Sequence, residues 1–234
     1  MIKAALFDLD GTLLPMDEER FTHAYFGAMC RKMCPHGYGK DELIAAIWRG
    51  TGAMVKNNGA ESNETVFWRE FAKIFGERVF ADKPLFDEFY RVEFPALSGT
   101  CGYDPAAKEA VAAAKAKGFH AVLATNPIFP AAATMARIGW AGLSPADFEF
   151  VTTYETTGFC KPNPAYYEEI CRRLGLAPDE CLMAGNNVEE DMIAGTLGMK
   201  LFLVTPCLIN RENKDTSAYP QGTLLDLARY LEKL

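Results

Sequence analysis

The sequence predicts a doubly wound α/β domain, a Rossmann-like parallel sheet, with an α-helical bundle inserted after the first strand. Two observations predict it. Five short runs are near-continuously apolar, as strands of a parallel sheet covered on both faces must be, and helical patterns separate the last four. Residues of about 16 to 99 break that alternation with four helical stretches and no convincing strand. The expected division is a core of residues 1–15 and 100–234 and an inserted module of residues 16–99.

In chain order, Lys3 to Phe7 is the first strand. The insertion follows as helices Glu18 to Met33, Lys40 to Lys56, Glu64 to Phe75 and Pro84 to Phe94. In the third of these, Phe67, Phe71 and Phe75 recur at helical spacing beside Val66 and Ile74, one broad apolar face that reads as packing. Thr51-Gly52 and Asn57-Asn58-Gly59 read as turns. An alanine-rich helix then runs from Asp104-Pro105 to Lys117, with Asp104 as N-cap, Pro105 at the first helical position and Gly118 as C-cap. The remaining strands are His120 to Ala124, Phe148 to Thr152, Cys181 to Ala184 and Lys200 to Val204. Helices Pro130 to Ile138, Ala165 to Leu174 and Val188 to Leu197 lie between them, and Thr223 to Leu234 closes the chain as a packed helix.

Composition narrows the class. With 234 residues, 49% hydrophobic and 24% charged, the chain has the make-up of a globular protein, not of a collagen, a disordered tail or a disulfide scaffold. Its 24 basic and 31 acidic residues leave a net charge of −7, and no basic run offsets it. Nucleic acid and anionic membrane are therefore not expected partners, although a small anion answers to a local pocket. No stretch approaches the roughly 20 apolar residues of a membrane span. The first residues read as a strand and not as a leader, and the seven scattered cysteines suit free thiols; both point to a cytoplasmic location. Cys30, Cys34 and His36 crowd together at an unusual spacing and read as a buried helix cysteine and a turn.

In an open α/β sheet, ligands bind beyond the carboxyl ends of the strands, so the segment after each strand carries the chemistry. After the first comes Asp8-Leu9-Asp10-Gly11-Thr12, and after the second Thr125-Asn126-Pro127. A short loop after the third brings Lys161-Pro162, and after the fourth come Gly185-Asn186-Asn187 and Asp191. Asp8 and Asp10 lie two apart, so in an extended chain both side chains point the same way. Two such carboxylates repel each other unless a divalent cation, a nearby lysine or a retained proton compensates. Gly11 allows a sharp turn. Asn126 with Pro127 reads as a helix start, where Thr125, Asn126 and the Ile128 and Phe129 amides are candidates to hold an anion. Lys161, in a proline-stiffened segment, can serve as a fixed positive charge. Glu189 and Glu190 read as first-turn acids that favour the helix dipole.

These four elements in this order resemble the haloacid dehalogenase superfamily of aspartyl-phosphate hydrolases. Asp8 to Thr12 is similar to its first motif, Thr125 to its second, Lys161 to its third and the Gly185 to Asp191 segment to its fourth. The resemblance implies a nucleophile at Asp8 and a general acid, then base, at Asp10. It implies that Lys161 with Gly11, Thr12, Thr125 and Asn126 hold the transferring phosphoryl group. It further implies Mg²⁺ bound by Asp8, the Asp10 carbonyl and the fourth motif, where Asn186 and Asp191 are the candidates. Residues 16–99 fall where many members carry a helical cap, hinged here near Leu14 to Met16 and Leu97 to Gly102. Dehalogenases of the superfamily lack the second acid of the first motif, so Asp10 favours phosphate chemistry. Asn186 stands where members place a metal-binding acid, which implies weaker metal affinity.

The expected activity is thus Mg²⁺-dependent hydrolysis of a small phosphorylated metabolite through an aspartyl-phosphate. A sugar-phosphate mutase and a catalytically impaired phosphate-binding regulator are the alternatives. Arg20, Arg49 and Lys56 are candidates for charge over the site, though each alone reads as surface.

Overall fold

The computed structural model describes all 234 residues. Its strands are β1 (Ala4–Phe7), β2 (His120–Leu123), β3 (Phe150–Val151), β4 (Cys181–Gly185), β5 (Lys200–Val204) and β6 (Gln221–Gly222). They form one parallel sheet in the order β3-β2-β1-β4-β5-β6. The core helices are α5 (Ala106–Ala116), α6 (Ala131–Trp140), α7 (Pro164–Leu174) and α8 (Leu224–Glu232). Alternation along β1 sends Ala5 and Phe7 into an apolar cluster with α5 and α8, and Ala4 and Leu6 into a second cluster with α7. Every residue of β1 is buried because the sheet is covered on both faces.

The insertion folds as α1 (Glu18–Met33), α2 (Lys40–Val55), α3 (Asn63–Phe75) and α4 (Arg78–Val92), followed by a 3₁₀ stretch at Phe94–Thr100. Asp17 caps α1 by accepting from the Arg20 amide at 3.0 Å, and Ser62 caps α3 by accepting from the Thr65 amide at 3.2 Å. The predicted apolar face of α3 is realised in Val66 and Phe71, which are buried, with Trp68 beside them. Phe71 meets Phe86 of α4 edge to face at 5.5 Å. The two connections to the core run side by side: Met16 pairs with Cys101, and the Gly102 amide donates to the Pro15 carbonyl at 2.7 Å.

Several expected elements differ. α4 begins at Arg78 and carries Pro84 in its interior, because Val79, Phe86 and Phe89 share one buried face whose packing outweighs the lost amide. Thr51-Gly52 lies inside α2 and makes no turn. The segment expected as a helix from Val188 is a turn followed by a 3₁₀ stretch at Met192–Leu197. β3 is two residues long, and the short strand β6 was not expected.

Candidate active site

The strand order reverses at the centre of the sheet, where β1 lies between β2 and β4. Asp8 leaves β1 while its amide still donates to the Ala184 carbonyl of β4 at 2.9 Å. The ends of β2 and β4 therefore deliver Thr125 and Asn186 to either side of it. Gly11 has φ +82°, and a Cβ there would lie 2.2 Å from Asn186 Nδ2, so the turn needs glycine both for its backbone and for the approach of Asn186.

Asp8, Thr12, Lys161, Asn186 and Asp191 form one buried polar network. Lys161 Nζ donates to Asp8 Oδ1 at 2.8 Å and to Asp191 Oδ1 at 2.6 Å. Thr12 Oγ1 lies 3.0 Å from Asp8 Oδ2 and 2.9 Å from Asn186 Oδ1. Asn186 Nδ2 donates to the Cys207 carbonyl at 2.6 Å, and Asp191 Oδ2 accepts from the Asn187 amide at 3.0 Å. Burial opposes the charge on Lys161, but Asp191 and Asp8 overcome it and hold the ammonium well above its ordinary range. Burial also pushes the Asp191 carboxyl up to about 6. Lys161, expected from sequence as a fixed positive charge, is 1% exposed and held between two carboxylates.

Asp10 sits in a different environment. Its Oδ2 pairs with the guanidinium of Arg137 on α6, itself buried beneath Phe129 at 4.6 Å. Asp10 Oδ1 is buried without a partner. Burial raises the Asp10 pKa against the pull of Arg137, and Asp8 adds to the rise. Asp10 thus has one oxygen anchored and one without a partner.

Thr125 is fixed by its carbonyl, which accepts from Thr152 Oγ1 at 2.7 Å and Tyr166 Oη at 2.9 Å. Asn126 is not a helix cap. α6 starts at Ala131, whose amide donates to Glu155 Oε1 at 2.8 Å, and the Ile128 amide donates to the Asn126 carbonyl at 2.9 Å. These bonds occupy two of the amides near the expected helix-start anion site. Asn126 instead bridges elements, accepting from the Lys161 amide at 3.3 Å and donating to Glu190 Oε2 at 3.1 Å. Glu190, read from sequence as a first-turn acid, faces the site, and burial pushes its carboxyl up to about 7.

A cavity of about 360 Å³ opens over these groups, lined by Asp8, Asp10, Thr125, Asn126, Asn186 and Asp191 below and by the inserted helices above. Arg20, Arg49 and Lys56 do not reach it. Arg20 donates to the Gly99 carbonyl at 3.0 Å and Arg49 pairs with Glu70. Arg137, Glu190 and the Cys207 carbonyl are the site residues that sequence reasoning missed. Only Arg137 left a sign, as a lone cation in the apolar pattern of α6.

The doubly wound fold, the inserted helices and this rim of strand-end side chains accompany a family match: the chain belongs to the haloacid dehalogenase-like hydrolase family, whose model matches residues 2–197. A stretch of 66 residues, 28% of this chain and 29% of the relative, is 39% identical to a glyceraldehyde 3-phosphate phosphatase of Methanothermobacter thermautotrophicus. The match thus spans under a third of that relative. Among solved structures, a HAD phosphatase from Thermococcus onnurineus aligns with TM-score 0.58 at 21% identity, covering 98% of each chain. The L-2-haloacid dehalogenase of Xanthobacter autotrophicus aligns with TM-score 0.58 at 19% identity over the whole of both chains. These two show the shared fold.

Proposed function

We propose that the chain is a Mg²⁺-dependent phosphomonoester hydrolase that works through an aspartyl-phosphate on a small phosphorylated metabolite. The observation that carries the reading is the contrast between the two carboxyls at the end of β1. Asp8 has both oxygens oriented, one by Lys161 and one by Thr12, whereas Asp10 has one oxygen on Arg137 and Oδ1 free, with burial raising its carboxyl above the ordinary value against the pull of Arg137. Such a split in environment supports a nucleophile at Asp8 and an acid at Asp10.

In this mechanism an Asp8 carboxylate oxygen attacks phosphorus and the P–O bond to the leaving alcohol breaks. Asp10 gives its proton to that oxygen. Asp10, now a carboxylate, takes a proton from the water that attacks the phosphorus of the aspartyl-phosphate, which releases inorganic phosphate and regenerates Asp8. Lys161 is a preorganised positive charge beside the reacting carboxylate, and Thr125 lines the phosphoryl end of the cavity.

The donor set suits Mg²⁺ in kind. Asp8 Oδ2 and Asn186 Oδ1 converge on the Thr12 hydroxyl, and both are hard oxygens. No three Asp, Glu, His or Cys side chains cluster as a ready metal site, and the residue at position 186 is an amide. The Asp8 carboxylate, the Asp10 carbonyl and Asn186 would hold the ion, with Asp191 as the further carboxylate. When bound it offsets the charge of the phosphoryl group.

The test is phosphate release from an aryl phosphate in a Mg²⁺ series with and without chelator. The expected result is turnover that rises with millimolar Mg²⁺ and vanishes on chelation. Asn186 also favours one second reading, a phosphate-binding regulator, which would bind vanadate yet release no phosphate at any metal concentration.

A further inference from the structure

The cavity wall opposite the carboxylates is aromatic. Phe21 and Tyr25 of α1, Phe67 and Trp68 of α3, Tyr90 of α4 and Phe129 before α6 build it. Polar tips on that wall bond one another: one of the Tyr25 and Tyr90 hydroxyls donates to the other at 2.8 Å, and Trp68 Nε1 donates to Tyr154 Oη at 3.4 Å. Charge is as one-sided. The acidic lining residues are Asp8, Asp10, Glu18, Glu190 and Asp191, and the single cation is Arg211, exposed at the rim and bound to Glu18 at 2.8 Å.

A leaving group that carries a carboxylate or second phosphate would be desolvated here with no free cation to meet it. A polyol would set most of its hydroxyls against ring faces, which offer far fewer hydrogen-bond partners than water does. An uncharged apolar group gains from the same walls. An engineered cavity of about 150 Å³ holds benzene, so 360 Å³ has room for a phosphoryl group and one ring beyond it.

From this we infer that the substrate is a phosphomonoester of an uncharged, largely apolar alcohol of about one aromatic ring, with the inserted helices forming its leaving-group site. The inference rests on the hydrolase reading and narrows its metabolite to that class.

The test compares kcat/KM for 2-phenylethyl phosphate, glycerol 1-phosphate and 2-phosphoglycolate with Mg²⁺. Both comparison alcohols leave at least as readily as phenylethanol, so intrinsic reactivity works against the expected order. The expected result is a preference for the phenylethyl ester of about 10-fold or more, the worth of roughly 1.4 kcal/mol of apolar contact. Equal or reversed values overturn the inference and leave the hydrolase reading standing. Calorimetric binding of 2-phenylethylphosphonate against 2-carboxyethylphosphonate reads the same preference without turnover. That preference with no turnover of any ester keeps the leaving-group site and defeats the hydrolase reading; no preference in binding overturns the site. Thr51→Lys, which adds a cation to the wall from α2, should raise the phosphoglycolate to phenylethyl ratio about 10-fold, and an unchanged ratio contradicts the assignment.

Discussion

Arg137 and Asp10 form a charge pair at the floor of the cavity, and the cost of breaking it differs from the cost of removing it. Arg137→Met should lower stability by about 3 kcal/mol in urea unfolding, since it strands a partly buried carboxyl. The double variant with Asp10→Asn should recover part of that loss, and strict additivity would count against the pairing. Asn186→Asp places a carboxylate among the proposed metal ligands, so Mg²⁺ affinity by calorimetry should tighten by about 10-fold or more. Without metal the same variant should melt lower, because it loses the Nδ2 donor and sets a carboxylate against the Cys207 carbonyl. Glu190 makes a pH-dependent contribution. Its carboxyl is raised from 4.5 to about 7, so the folded chain holds that proton more tightly than the unfolded chain. Stability is therefore lost as pH rises between those values. Glu190→Gln should gain little thermal stability over the parent at pH 5 and most at pH 8; a constant difference would contradict the burial of this group. Sequence spacing shows Asp8, Asp10, Lys161 and Asp191 because their residue types are unusual at strand ends. It marks Arg137 only as a lone cation in α6 and does not link it to Asp10, 127 residues away.

At the scale of elements, α2 holds two glycines with opposite roles. A Cβ on Gly50 would lie 2.6 Å from the Phe67 ring, whereas one on Gly52 would meet nothing within 4 Å. Gly52→Ala should therefore stabilise by about 1 kcal/mol through helix propensity. Gly50→Ala should destabilise by about 1–3 kcal/mol by prising α2 from α3; chemical denaturation of the two variants gives both signs. The helices of the insertion were legible from apolar periodicity, and α1 starts and ends where its pattern places it, at Glu18 and Met33. The errors fall where a local signal met a stronger tertiary one. Pro84 reads as a helix start, yet the buried face from Val79 to Phe89 carries the helix through it. Asn126-Pro127 reads as a cap, yet Asn126 is held by Lys161 and Glu190, neither of which is near it in sequence.

Across the whole molecule, the apolar core of the insertion does not stop at its own helices. Ala133 of α6 is buried within it, Phe129, Ala136 and Trp140 pack against it, and Trp140 stacks on Phe94 at 5.3 Å. A second tie joins α3 to the loop after β3. The Asn63 amide donates to the Thr157 carbonyl at 2.9 Å, and its side chain reaches the Pro127 and Phe159 carbonyls. The sequence shows the insertion as a break in alternation, but nothing in it shows that the two parts share a core. Thermal unfolding should consequently be one transition, with tryptophan fluorescence and far-ultraviolet dichroism coinciding. Two resolved transitions would separate the parts. The proposed chemistry turns on Asp8, and its most direct test is phosphate release from an aryl phosphate with Mg²⁺ by the Asp8→Asn variant, its fold checked by dichroism. A loss of at least about 1,000-fold is predicted for a missing nucleophile; activity equal to the parent would contradict a covalent role for Asp8.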